Sequence, residues 1–263
     1  MSATTPSAEP WRLHGLSVPG HRHRSDNMPC QDAFVCHRAG PETFLLAVAD
    51  GAGSRRMSRE GAQLAVDLAP VSFLSSASLP REPRAVRAFL RGRFTALRAE
   101  FLRYARPRPD DYATTLTVVV HTPHWLGYLS VGDGFAMLRA GFSGGEPQFH
   151  LLPQPAPVSE YSNEAFFVTS EDAADRLETA CVVDDGITGI LLSTDGLTQA
   201  AVEFPGNDNR RARHAFVSKV LGAMERPEVP AEQEAAELAR LLRSRRLAAD
   251  NADDKTLIRA VRS

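Results

Sequence analysis

The sequence predicts an α+β fold, a sandwich of two antiparallel β-sheets flanked by helices, and three observations carry that prediction. Apolar, β-branched runs of strand length recur along nearly the whole chain. Helix-period segments come in two pairs rather than after every strand. No repeat, heptad run or long linker interrupts the pattern, so one domain over 11–263, after a disordered tail of residues 1–10, is expected.

The strands are read, in order, at Leu13–Val18, Ala33–His37, Phe44–Ala49, Thr115–His121, Trp125–Val131, Phe135–Arg139, Ala165–Thr169, Thr179–Val183, Gly189–Ser193 and Thr256–Val261. Helices are read at about Arg59–Leu74, Arg84–Tyr104, Arg210–Met224 and Ala231–Arg245. In the second, Val86, Phe89, Leu90, Phe94, Leu97, Phe101 and Leu102 recur at three- and four-residue intervals opposite an Arg-rich face, which marks a core-facing stripe. The Gly-, Pro- and Ser-rich stretch Gly141–Asn163 reads as a long loop.

Composition narrows the function. With 263 residues and 43% hydrophobic content the chain can bury a substantial core. A formal charge of −2 gives no basic field, so neither nucleic acid nor a membrane surface is an expected partner. No segment approaches the roughly 18 apolar residues of a membrane span, and Met1–Pro10 lacks the apolar core of a leader, so a cytoplasmic protein is expected. Cys30, Cys36 and Cys181 show no disulfide or zinc-site spacing and read as reduced thiols. A cysteine-nucleophile phosphatase would carry Arg six residues after its Cys; those positions hold Cys36, Glu42 and Ile187. No Ser/His/Asp constellation stands out.

What does stand out is aspartate at strand ends. Asp50 follows Phe44-Leu-Leu-Ala-Val-Ala49 and precedes Gly51-Ala-Gly53; Asp195 follows Ile190-Leu-Leu-Ser-Thr194 and precedes Gly196. A strand end places a carboxylate on rigid backbone, and the next Gly lets the chain turn close to a ligand. Asp32 directly precedes an apolar strand, Asp253 and Asp254 precede the last one, and Asp133 in Val131-Gly-Asp-Gly134 joins two strands like a hairpin turn. Any one Asp-Gly pair is an ordinary turn signal; the recurrence is what argues for a site. Carboxylates gathered at one end of a sheet need cations to remain ionised together. Oxygen ligands without His or Cys favour Mg²⁺ or Mn²⁺ over zinc.

Taken in order, Cys30-Gln-Asp-Ala-Phe34, Ala47-Val-Ala-Asp-Gly-Ala-Gly53, Ala113-Thr-Thr-Leu-Thr-Val118, Leu129-Ser-Val-Gly-Asp-Gly134, Leu191-Leu-Ser-Thr-Asp-Gly-Leu197 and Asp253-Asp-Lys-Thr-Leu-Ile258 resemble the metal-dependent protein phosphatases of type 2C, the PPM family, and its bacterial members above all. The resemblance spans about Leu13 to Val261. It implies two antiparallel sheets with Mn²⁺ or Mg²⁺ in a cleft at one edge: two ions, with a site for a third. It implies that Asp50 bridges two metals, that the Gly51 carbonyl, Asp195 and Asp253 complete their protein ligands, that Asp32 holds a metal-bound water, and that Asp133 with Asp195 forms the third site. Asp50, Asp195 and Asp253 are thereby the expected catalytic residues. The implied reaction is hydrolysis of phosphoserine or phosphothreonine in proteins by a metal-bridging water, with a phosphorylated protein as substrate and a Ser/Thr kinase of bacterial signalling as counterpart.

Two positions depart from the family pattern. Asn27 stands where the family has a phosphate-gripping Arg, leaving Arg24, His21 and His23 as candidate phosphate-binding residues, and Ala52 stands where many eukaryotic members carry His. Arg55 and Arg56 follow the same glycine turn and read as solvated. The missing Arg is the ground for an alternative reading, a non-catalytic phosphoprotein-binding or regulatory pseudophosphatase.

Overall fold

The computed structural model describes residues 11–74, 79–155, 166–205, 210–226 and 229–262. The expected tail, residues 1–10, lies outside them. In chain order the N-terminal part runs β1 (Trp11–Val18), α1 (His21–Ser25), β2 (Asp32–Arg38), β3 (Phe44–Asp50), α2 (Ser58–Leu74) and α3 (Pro83–Tyr104). A run of strands follows: β4 (Leu116–His121), β5 (Leu126–Val131), β6 (Phe135–Ser143), β7 (Glu146–Leu151), β8 (Glu178–Val182) and β9 (Ile187–Ser193). The chain closes with α4 (Thr198–Ala201), β10 (Val202–Glu203), β11 (Arg211–Ala212), α5 (His214–Gly222), α6 (Ala231–Leu242), α7 (Arg245–Asp250) and β12 (Lys255–Arg262).

Two five-stranded antiparallel sheets result, in the orders β1-β12-β9-β6-β7 and β2-β3-β4-β5-β8. The expected sandwich is therefore observed, and period-2 side-chain alternation explains it. Along β3, Phe44, Leu46 and Val48 enter the core between the sheets, with Trp11, Ile190, Leu192 and Ile258. Leu45, Ala47 and Ala49 point the other way, into a second core beneath α2 and α3. β9 and β12 behave alike: Leu191 and Leu257 face a third core under α5 and α6, with Val217, Leu221 and Leu238. A strand buried on both faces has to be apolar throughout, which is why β3, β4 and β9 read as near-continuous hydrophobic runs.

α3 buries Val86, Leu90, Phe94, Leu97 and Phe101 completely, while Phe89 and Leu102 flank the stripe half-buried. The helix thus presents the face its sequence period predicts.

Four expectations need correction. The stretch Gly141–Asn163 is not one loop. Its first part forms the β6–β7 hairpin, closed by Gly144 and Gly145 at φ 60° and 86°, the double left-handed turn that Gly-Gly supports; residues 156–165 lie outside the described part. Residues 166–169 form no strand: the Val168 N–H donates to the Thr114 carbonyl and the chain then turns at Ser170. The helix expected from Arg210 begins at His214, because Arg211–Ala212 pair with Val202–Glu203. The helix expected to run to Arg245 stops at Leu242, and the Ser244 hydroxyl caps a new one by accepting from the Leu247 N–H.

Candidate metal centre

The antiparallel registers bring five aspartates to one edge of the sandwich. β2 starts where β3 ends, so Asp32 and Asp50 are direct partners in the ladder. β12 starts where β9 ends, with Leu257 opposite Ser193, so Asp195, just past β9, and Asp253, just before β12, meet from the other sheet. Asp133 is not in a hairpin as its sequence suggests. β5 and β6 belong to different sheets, and Gly132-Asp133-Gly134 carries the chain from one to the other. Gly132 takes φ 100°, a value that L side chains avoid, and exposed Asp133 follows it at the site's outer side.

Carboxylate oxygens of Asp50, Asp133 and Asp195 lie within 4.8 Å of one another. Asp253 is close enough for its charge to raise the pKa of all three, and Asp32 acts in the same way on Asp50 and Asp195. Burial pushes Asp32 up to about 7, opposed by the Thr194 hydroxyl and aided by Asp254. Burial pushes Asp195 up to about 8, aided by Asp133, Asp253 and Asp32. Asp50 and Asp133 are raised for the same leading reason, with the surrounding carboxylates adding to it. Among the described residues no Arg, Lys or His forms an ion pair with any of the five. A crowded, uncompensated, all-oxygen donor set fits hard divalent cations, and Asp32, Asp50, the Gly51 carbonyl, Asp133, Asp195 and Asp253 are the groups available to hold them.

Neighbouring hydroxyls fix this set. The Asp50 N–H donates to Thr115 Oγ1 (2.9 Å) and the Asp50 carbonyl accepts from Thr114 Oγ1 (2.8 Å), so the bridging candidate is pinned from β4's leading edge. Thr194 Oγ1 donates to Asp32 Oδ2 (2.8 Å) and accepts from the Thr256 N–H (3.2 Å), joining the two sheets at the site. A side chain on Gly51 would run into the Ser58 carbonyl, which explains glycine directly after Asp50.

Asp254 plays a different part from its neighbour. It is buried and accepts from the Gly20 N–H (2.7 Å), His23 Nδ1 (2.8 Å) and the Gln31 N–H (2.6 Å). That leaves half-buried Asp253 as the ligand candidate of the pair. Of the three expected phosphate-binding residues, His23 is buried against Asp254, whereas His21 and Arg24 are exposed on α1. Sequence reading gave no role to Thr114, Thr115 and Thr194 and did not see that Asp254 is an anchor; Thr194 adjoins Asp195, while Thr114 and Thr115 lie in the Ala113–Val118 stretch. The three cysteines are free, and burial raises each thiol, Cys36 to about 12, which rules them out as ready nucleophiles.

The family model described as protein phosphatase 2C matches residues 19–243. The chain belongs to the protein phosphatase 2C family. As such it is a metal-dependent serine/threonine phosphatase, an enzyme of phosphoester hydrolysis. The chain is 29% identical over 204 residues to serine/threonine-protein phosphatase 3 of Escherichia coli (strain K12), covering 75% of this chain and 78% of that one. Its fold is similar to that of the serine/threonine phosphatase Stp1 from Staphylococcus aureus, with a TM-score of 0.62, 15% identity and 99% and 98% of the two chains covered. It is also similar to the catalytic domain of the serine threonine protein phosphatase PstP solved in complex with 2 manganese ions, with a TM-score of 0.57, 19% identity and coverage of 96% and 98%. Among the described residues of this phosphatase no helix is long and apolar enough to cross a membrane.

Proposed function

We propose that this 2C phosphatase removes phosphate from phosphoserine and phosphothreonine of protein substrates, opposing a Ser/Thr kinase, with two Mn²⁺ or Mg²⁺ ions at the aspartate edge. The observation that carries the proposal is the convergence of Asp50, Asp133 and Asp195 oxygens within 4.8 Å without a pairing cation among the described residues. In this reading Asp50, the Gly51 carbonyl, Asp195 and Asp253 would hold the two ions with oxygen ligands alone. Asp32, oriented by Thr194, would hold a metal-bound water, and Asp133 with Asp195 would hold a third ion. When bound, the ions offset charge on the phosphoryl group and acidify water for attack in line with the leaving oxygen.

The chain's own contribution is placement. Thr114 and Thr115 hold the Asp50 backbone, Asp254 holds the loop that presents Asp253, and the twofold anchoring of Thr194 keeps Asp32 in register with the opposite sheet. The non-catalytic alternative rested on the absent Arg at position 27, and the retained carboxylate set gives it no support. The test is release of phosphate from a phosphothreonine peptide by purified protein with Mn²⁺ or Mg²⁺, compared with EDTA. Turnover lost in Asp50→Asn and Asp195→Asn is the expected result. Peptide binding without turnover in the wild type, or unchanged turnover in either variant, contradicts it.

A further inference from the structure

We infer that Lys255 is a positioning residue for Asp253: its buried ammonium braces the loop between α7 and β12 and holds that carboxylate at the aspartate edge before a metal ion arrives. The inference rests on the metal-dependent phosphatase reading above.

Lys255 is the first residue of β12, and the period of the strand puts it on the same face as Leu257, the face that packs under the helices. Taking an ammonium out of water is costly, so a lysine only 2% exposed has to find its partners inside the protein. It finds them in the segment just before it. Nζ donates to the Asn251 carbonyl (2.7 Å) and to the Asp253 carbonyl (2.8 Å). Both carbonyls lie between α7 and β12, outside either element, so no helix or ladder takes them up. The stem runs beside the turn after Asp195: a β-carbon on Gly196 would stand 3.3 Å from Lys255 Cγ. Burial opposes the ammonium charge, while the carboxylates of Asp253, Asp254 and Asp32 support it.

These bonds close the loop around Asp253. Its N–H donates to Asn251 Oδ1 (2.9 Å), its carbonyl accepts from Lys255, and its Oδ1 accepts from the Asp254 N–H (3.0 Å). The main chain and one carboxylate oxygen are thereby fixed, while Asp253 Oδ2 has no hydrogen-bond partner among the described residues. Lys255 achieves this without taking up a carboxylate oxygen, because both of its bonds go to main-chain carbonyls. A held carboxylate with one uncommitted oxygen can meet a cation with little reordering of the loop, and that preorganisation strengthens binding. Without the ammonium the two carbonyls lose their donor, and an incoming ion has to order the loop itself.

The chain holds two lysines, and the other, Lys219, is exposed and supplies the control. The experiment measures Mn²⁺ affinity of the full chain by calorimetry for wild type, Lys255→Met, Lys255→Gln and Lys219→Met. Hydrogen exchange of residues 251–254 is followed in EDTA, and kcat for a phosphothreonine peptide is taken at saturating Mn²⁺. Losing the brace predicts Mn²⁺ binding about ten- to hundredfold weaker in Lys255→Met, with faster exchange of the loop. At saturation kcat is expected to be unchanged, because bound ions then order the loop. Lys219→Met is expected to match wild type. Lys255→Gln keeps an N–H donor and is expected to show a smaller loss; if Lys255→Met does not fold, this variant carries the test. Wild-type Mn²⁺ affinity or wild-type loop exchange in the Lys255 variants that fold overturns the assignment, as does a kcat at saturation that falls with the affinity, an equal loss in Lys219→Met, or no Mn²⁺ binding by the wild type. Calorimetry and exchange need no turnover, so a wild type that binds Mn²⁺ and hydrolyses nothing refutes the phosphatase reading, while weaker Mn²⁺ binding and faster exchange in Lys255→Met still support the brace.

Discussion

Asp32 and Asp50 are cross-strand partners in the β2–β3 register, so backbone pairing alone sets two carboxylates side by side at the edge of the sandwich. Like charges opposed in this way disfavour each other, and the fold tolerates them only through protons or cations.

The first prediction concerns pH. Asp32 and Asp195 are raised in the folded protein to about 7 and about 8, and Asp50 and Asp133 are raised too, chiefly by burial. In the unfolded chain Asp titrates near about 3.9. The folded state therefore binds more protons, and stability from these groups is full below the unfolded pKa and falls as pH rises through the folded values. In EDTA the urea midpoint should be higher at about pH 5.5 than at about pH 8.5; excess Mn²⁺ should shrink or reverse the gap by taking the place of the protons. An EDTA midpoint that is flat or rising across that interval contradicts the assignment of a shared carboxylate cluster.

Thr194→Val keeps the shape of the side chain and removes the hydroxyl that orients Asp32 and receives the Thr256 N–H. Loss of such an outer contact typically weakens metal binding about ten- to hundredfold, and the orphaned buried N–H costs about 1–3 kcal/mol. Calorimetric Mn²⁺ titration and a urea melt check the two halves separately. Wild-type affinity in the variant would show that Asp32 needs no orientation.

For Asp254→Ala the expected loss is stability, with the metal ligands left intact. Three donors, the N–H groups of Gly20 and Gln31 and His23 Nδ1, would lose one buried acceptor. At about 1–3 kcal/mol for each unsatisfied group, the urea-derived stability should drop by roughly 3 kcal/mol or more. Hydrogen exchange should show early opening of α1, and a variant whose α1 amides stay as protected as wild type contradicts the anchoring role.

How far the sequence disclosed this depends on what kind of force fixes each feature. β3, β4 and β9 and the stripe of α3 are set by burial, whose period is written in the residues themselves, so they were legible. Asp50 and Asp195 were legible because each closes an apolar run, and Asp32 and Asp253 because each stands just before one. Which sheet a strand joins is set by contacts distant in sequence, so Gly132-Asp133-Gly134 read as a hairpin when it is a crossover. The β6–β7 hairpin was hidden because Gly141, Gly144 and Gly145 look like loop composition until their positive φ values are seen. Asp253 and Asp254 differ only in which way the backbone turns them, and the buried role of Asp254 depends on a helix some 230 residues earlier in the chain, at Gly20 and His23.

Gly196 and Gly92 make the last prediction, because the same substitution should act in opposite directions at the two positions. Gly196 follows Asp195, and a β-carbon there would overlap the Asp254 carbonyl oxygen, a backbone atom that cannot swing aside without moving the Asp253 loop. Gly196→Ala should therefore cost about 3 kcal/mol or more, or prevent folding, and should weaken Mn²⁺ binding in whatever protein folds. Gly92 sits exposed within α3 with nothing within 4 Å of an added β-carbon. Gly92→Ala removes backbone freedom from the unfolded chain and should stabilise by about 0.5–1 kcal/mol without changing metal affinity. Urea melts of the two variants beside wild type decide the matter. A tolerated Gly196→Ala would mean that the β9 and β12 ends are not packed as closely as the site geometry requires.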